Sequence, residues 1–294
     1  MRHILSKIFP ESRFWINQGT ARSLKEYLQF RHRTSAARNK HLSNLDKVAT
    51  EGGEEFKIKG YSYPAHRFVE FLVDRQYAEP GEVNWRERVV CPVTHLNNRM
   101  RVAVHVLDDL LTEEHWENSY ITEKVTPLFK ILSKNHSDLI GSEYLSPDCP
   151  PGAVNDAGIQ HEDMCRLSFR DSTLGALLSF DCLEHIPDYQ KAFEEAYRVL
   201  YRGGKFIWSA PFIATNYENL IRARIVDGEV QYLEEPQFHG DPISQDGILC
   251  YQEFGWQSLD QLRQIGFSDA YSLFVRSRHY GYLGPDQHYV IAIK

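Results

Sequence analysis

Between Ile140 and Phe212 three apolar, strand-like runs each end on acidic side chains, and no other feature constrains the fold as tightly. The runs read IGSEYL, QHEDMCRLSF and ALLSFDCLEHIPD, and their acids are Glu143, Asp163 and the Asp181/Glu184 pair. These carboxylates recur about every 20 residues, close to one strand plus one crossover of a parallel sheet. In open α/β sheets, ligands bind outside the carboxyl ends of the strands. A row of acids there suits a nucleoside, whose ribose hydroxyls and exocyclic amine donate hydrogen bonds.

The third run enters the turn Leu183-Glu184-His185-Ile186-Pro187-Asp188. A helix ending in Arg198-Val199-Leu200 and a Gly203-Gly204 turn follow. In this order the pieces resemble the class I S-adenosylmethionine-dependent methyltransferases, over roughly Ser119 to Lys294. The resemblance implies an α/β fold: a Rossmann-like, seven-stranded, mostly parallel sheet flanked by helices, here with a helical and irregular N-terminal extension. It implies S-adenosyl-L-methionine as cofactor. Glu143, with Tyr144 beside it, then takes the ribose hydroxyls, Asp163 and Met164 meet the adenine, and Phe180 and Asp181 close the cofactor site at the fourth strand.

One part departs from that pattern. The family's glycine-rich loop after the first strand is replaced by Tyr120-Ile121-Thr122-Glu123-Lys124-Val125-Thr126-Pro127. Glycines there let the backbone approach the cofactor's amino-acid end. Thr126 can cap a helix that has Pro127 at its first position, so strand, turn and helix are still expected. Thr122 and Glu123 are then candidates for the cofactor's ammonium end. The alternative left open by the missing glycines is a non-catalytic cofactor-binding or assembly protein of the same fold.

At 294 residues, 42% of them hydrophobic, the chain can bury a large domain and a smaller one. No run of about 18 apolar residues occurs, and the start MRHILSKIFPESRFW is too short in apolar residues for a secretory signal. Five cysteines, an odd number without paired metal spacing, fit reduced thiols and a cytoplasmic protein. Residues 1–50 hold ten Lys/Arg against three acids, a net of +7, which leaves −14 for the rest of a chain whose total is −7. Such a basic arm suits packing on its own acidic body or bridging to a second copy as a homodimer. The scattered charges and the lack of a binding module disfavour nucleic acid. A protein or RNA methyltransferase holding its substrate on the arm is a further alternative.

Three segments are expected: a basic helical arm over 1–50, an accessory module over 51–118, and the methyltransferase domain over 119–294 with a substrate roof inserted at 213–256. FKIKGYSY reads as strand, HRFVEFLVDRQ as helix, and ARIVDGEVQYL as a hairpin turning at Asp227-Gly228. Cys91-Pro92-Val93-Thr94 resembles half of a zinc knuckle whose second cysteine is Thr94, with Ser62 where an earlier cysteine is expected. Too few ligands are present for zinc, and no metal site is expected anywhere. The acceptor is read as a small polar molecule, with O-methylation favoured. His239, oriented by Asp241, and His185 are the candidate catalytic residues.

Overall fold

The computed structural model describes residues 17–240 and 247–294. The described residues divide into two compact units: residues 17–20, 29–110 and 273–288 form the first, and residues 21–28, 111–240, 247–272 and 289–294 the second. This division differs from the three expected segments, because a stretch near the C-terminus completes the first unit.

In chain order, strand β1 (Asn17–Ala21) precedes helix α1 (Leu24–Gly52). The helix stops where Gly53 adopts φ 73°, a left-handed conformation suited to glycine. Strands β2 (Phe56–Ser62) and β3 (Arg67–Val73) pair antiparallel, from Phe56 opposite Val73 to Ser62 opposite Arg67. The expected helix over HRFVEFLVDRQ is therefore a strand. Its apolar residues fit either period, and pairing with β2 decides the outcome by burying Phe71 and Val73 while Phe68 and Leu72 face out. Phe71 and Val73 pack with Leu45, Val89, Cys91 and Leu283.

Helix α2 (Asn98–Leu110) follows. The fully buried Arg101 donates from Nη1 to the Tyr280 carbonyl (2.7 Å), and from Nη2 to those of Val89 (3.1 Å) and Gly281 (2.8 Å). Its guanidinium lies 3.9 Å from the centre of the Phe71 ring.

The second unit begins with α3 (Glu113–Glu117), β4 (Ser119–Ile121), α4 (Pro127–Asn135), β5 (Ile140–Glu143) and the two-residue β6 (Gln160–His161). Strand β7 (Leu174–Phe180) is buried at every residue, as a central parallel strand covered on both faces must be. Helix α5 (Tyr189–Val199) leads into β8 (Leu200–Ser209). The inserted roof holds β9 (Leu220–Ile221), β10 (Ala223–Val226), β11 (Glu229–Tyr232), β12 (Phe238–His239), β13 (Ile248–Leu249) and β14 (Gln252–Glu253). These pair as β10–β11, β12–β13 and β9–β14. The β10–β11 hairpin turns at Asp227-Gly228 with φ 52° and 84°, as expected. Helix α6 (Gln257–Ile265), β15 (Asp269–Ser277) and β16 (Tyr282–Ile293) complete the chain.

The main sheet runs β1-β15-β16-β8-β7-β4-β5-β6. The β6-β5-β4-β7-β8 stretch is parallel throughout, and β16 joins β8 antiparallel. The sheet has eight strands where seven are expected. The extra one is β1, which occupies the edge beside β15, within the arm read as helical. Among the described residues, no helix is long and apolar enough to cross a membrane.

Candidate functional site

Parallel register brings the strand ends to one edge: Ile121 lies beside Gly141 and Leu178, Glu143 beside His161, and Phe180 beside Ser209. The segments that follow these strands carry the acids read from the sequence.

The first of them, Thr122 to Thr126, is tightly organised without glycine. Thr122 donates its amide to the Leu178 carbonyl (3.0 Å) and its hydroxyl to Ser179 Oγ (3.2 Å). The amides of Lys124 and Val125 both donate to Glu143 Oε1, at 2.7 and 2.9 Å. Thr126 then caps α4 by accepting from the Phe129 amide, with Pro127 opening the helix. A close approach does exist, but the glycine that permits it is on the strand. A Cβ on Gly141 would stand 2.8 Å from the Glu123 carbonyl oxygen and 2.5 Å from the Phe129 ring. That role for Gly141 was missed in the sequence, where only its place in IGSEYL hinted at it.

After β6 two acids follow in succession. Glu162 is buried and saturated, accepting from Ser168 N (2.9 Å), the Ser168 hydroxyl and Gln160 Nε2 (2.7 Å). Asp163 is half-buried and accepts from the Cys165 amide at 2.8 Å. Burial, then the Asp163 and Cys165 charges, raise the pKa of the neighbouring Tyr144 phenol. Met164 is buried, and Phe180 meets the Tyr289 ring edge-on at 6.0 Å. Asp181 takes a left-handed backbone (φ 51°), donates its amide to Ser209 O and accepts from Ser209 Oγ at 3.4 Å. Burial and the Glu184 charge push the Cys182 thiol up to about 12, so it stays neutral and unreactive.

The turn after β7 is a 3₁₀ helix, Leu183–His185, held by the roof. Buried Gln252 donates from Nε2 to the carbonyls of Leu183 (2.6 Å) and Ile186 (3.0 Å), and the Tyr251 amide donates to Glu184 O (2.7 Å). His185 Nδ1 lies 2.8 Å from the Leu249 carbonyl. His239 stands on β12, opposite Ile248 on β13. The two rings meet nearly perpendicular, 5.0 Å apart. Close to both lies the Glu184 carboxylate, 1% exposed, with Oε1 3.8 Å from His185 Nε2 and 3.6 Å from His239 Nδ1. The structure thus joins two sequence candidates, His185 and His239, with Glu184, an acid counted in the row at the strand ends but not paired with either histidine. Asp241 lies outside the described residues. Glu253, another acid of the roof, is neutralised by Arg222 at 2.7 Å.

Residues 138–208, which span β5 to β8, match the family model described as "Methyltransferase domain". The chain carries a methyltransferase domain. As an enzyme of that kind it uses S-adenosylmethionine. The methyltransferase domain also has distant structural likenesses. One is an S-adenosylmethionine-dependent methyltransferase from Mesorhizobium loti, at 16% identity over 65% of this chain and 96% of that one, with a TM-score of 0.39. A Haloferax volcanii methyltransferase complex with the activator Trm112 is 14% identical over 65% and 87%, with a TM-score of 0.39. Haemonchus contortus phosphoethanolamine N-methyltransferase 2 is 12% identical over 65% and 52%, with a TM-score of 0.37. No curated protein matches the chain. The domain assignment rests on the family match and the strand order.

Proposed function

We propose that this enzyme transfers a methyl group from S-adenosylmethionine to a hydroxyl of a small, polar acceptor. The observation that carries the reading is the convergence of Glu184, His185 and His239 immediately after β7, under a polar roof. A hydroxyl must lose its proton during transfer, and an imidazole near a carboxylate favours that loss. Glu184 supplies the carboxylate beside His239 that the sequence sought in Asp241.

On the cofactor side, Oε1 of Glu143 already accepts two loop amides, so Oε2 is the oxygen left for the ribose. Asp163 is assigned to the adenine amine with Met164 and Tyr144 beside it, and Phe180 and Asp181 line the fourth strand's end. Thr122 and Glu123 remain the candidates for the ammonium end. Calorimetric titration with S-adenosylmethionine and its demethylated product tests this half. A folded protein that binds neither would favour the non-catalytic alternative, and an acceptor screen follows a positive result.

The accessory module is read as a degenerate knuckle held by packing and hydrogen bonds. Ser62 Oγ donates to Cys91 Sγ at 3.3 Å, and His95 takes φ 58°, a left-handed conformation that glycine ordinarily supplies in such turns. Burial alone would raise the Cys91 thiol's pKa, but hydrogen bonds from Ser62 and Thr94 outweigh it and lower the value. A cytoplasmic location and dimerisation through the basic arm complete the proposal.

A further inference from the structure

We infer that Glu184, His185 and His239 form a site for a divalent cation, and that the acceptor reaches it as a pair of adjacent hydroxyl oxygens. The inference rests on reading this cluster as the acceptor side of the methyltransferase.

The three side chains offer one carboxylate oxygen and two imidazole nitrogens, all within 4.8 Å of one another. Ligands about 2.1 Å from a shared ion stand about 3.0 to 3.4 Å apart at the angles of six- to four-coordinate sites. The 3.6 and 3.8 Å separations lie close to that.

Glu184 supplies an independent argument. Its carboxylate is almost wholly buried, and among the described residues neither oxygen has a hydrogen-bond partner. A buried carboxylate without donors is costly by several kcal/mol. Its neighbours are two rings at distances too long for hydrogen bonds, which is the spacing an intervening ion requires.

The histidines are also prepared as ligands. With Nδ1 of His185 against the Leu249 carbonyl, the ring proton sits there, and the lone pair of Nε2 faces Glu184. Metal-binding histidines are braced in this way by a carbonyl or carboxylate on the second nitrogen. Gln252 and Tyr251 fix the backbone beneath Glu184, so the ligand set stands on a rigid base.

Three protein ligands leave positions open on a five- or six-coordinate ion. Two adjacent hydroxyls fill two of them as a chelate, and coordination makes the reacting hydroxyl more acidic. In the transfer step, the acceptor oxygen's electron pair attacks the methyl carbon of the sulfonium. The new O–C bond forms as the C–S bond breaks, and its electron pair returns to sulfur as a neutral thioether. The hydroxyl proton leaves to water, since His185 Nε2 and His239 Nδ1, the nitrogens facing Glu184, are then occupied by the ion.

The test uses the full chain, stripped with a chelator and titrated with Mn²⁺ by electron paramagnetic resonance. The expected result is one ion per chain, with affinity falling at least tenfold in His185→Ala and in His239→Ala. Glu184→Gln should behave likewise. If that buried substitution unfolds the protein, the half-exposed His239→Ala still decides. No stoichiometric binding, or equal binding by wild type and the histidine variants, overturns the site. Adding a vicinal diol such as 1,2-dihydroxybenzene should tighten Mn²⁺ binding, and an equal response to the monohydroxy analogue overturns the acceptor class. Calorimetry with S-adenosylmethionine on the same samples keeps the two readings apart: its failure rejects the methyltransferase reading, while the Mn²⁺ titration alone judges the cation site.

Discussion

Val125 donates its backbone N–H to Glu143 Oε1 at 2.9 Å, which ties a loop without glycine to the acid expected to hold the cofactor's ribose. One side chain therefore has two tasks, shaping the loop and binding the nucleoside. Glu143→Ala should weaken S-adenosylmethionine binding by at least tenfold, since a charge-assisted hydrogen bond is worth about 1.5–3 kcal/mol and the loop loses its anchor as well. Amide hydrogen exchange at Lys124 and Val125 should accelerate in the same variant. An unchanged dissociation constant in a folded protein would reject the ribose assignment.

Asp163 differs from its neighbour Glu162 in having capacity to spare. Asp163→Ala should abolish a preference for adenosine over inosine in competition binding, whereas the wild type should show it. Equal discrimination by both proteins would move the adenine contact elsewhere.

Arg101 is held by three carbonyls and a ring face in the first unit's interior, and burial lowers its pKa to about 10. Arg101→Met keeps much of the volume but strands those carbonyls. Denaturant unfolding should show a loss of roughly 3–5 kcal/mol, and a loss below about 1 kcal/mol would contradict the structural role.

His105 stacks on Tyr63 at 3.7 Å and meets the Tyr282 hydroxyl at 3.0 Å. Burial lowers its pKa to about 4. The folded protein therefore resists a proton that the unfolded chain accepts near pH 6.5. The neutral ring's contribution is complete above the unfolded pKa and is lost as pH falls from about 6.5 towards 4. Unfolding free energy should drop across that window by an amount on the order of a few kcal/mol from this group. His105→Gln should flatten the slope, and an equally steep profile would assign the loss to other groups.

The parallel strand order was legible, because Glu143, Asp163 and Asp181 lie in sequence order at or just after consecutive strand ends, where spacing alone encodes position. The acceptor side was less so. Glu184 was visible as an acid after the third run but not as a neighbour of His239, since nothing local announces that His239 folds back from the roof to face it. The strand at Arg67–Val73 was misread as helix because Phe68, Val69, Phe71, Leu72 and Val73 satisfy both periods, and only pairing with Phe56–Ser62 separates them. The edge strand Asn17–Ala21 is short and depends on a neighbour some 250 residues later, which no local pattern reveals.

The β12–β13 hairpin holds both histidines, one through its own residue 239 and the other through the Leu249 carbonyl. It works as a clasp with two teeth on one hinge. Displacing it would move one ring directly and take from the other the carbonyl against its Nδ1. An acceptor that prised the clasp open to get in would dismantle the chemistry it came for, and productive approach must leave this hairpin shut.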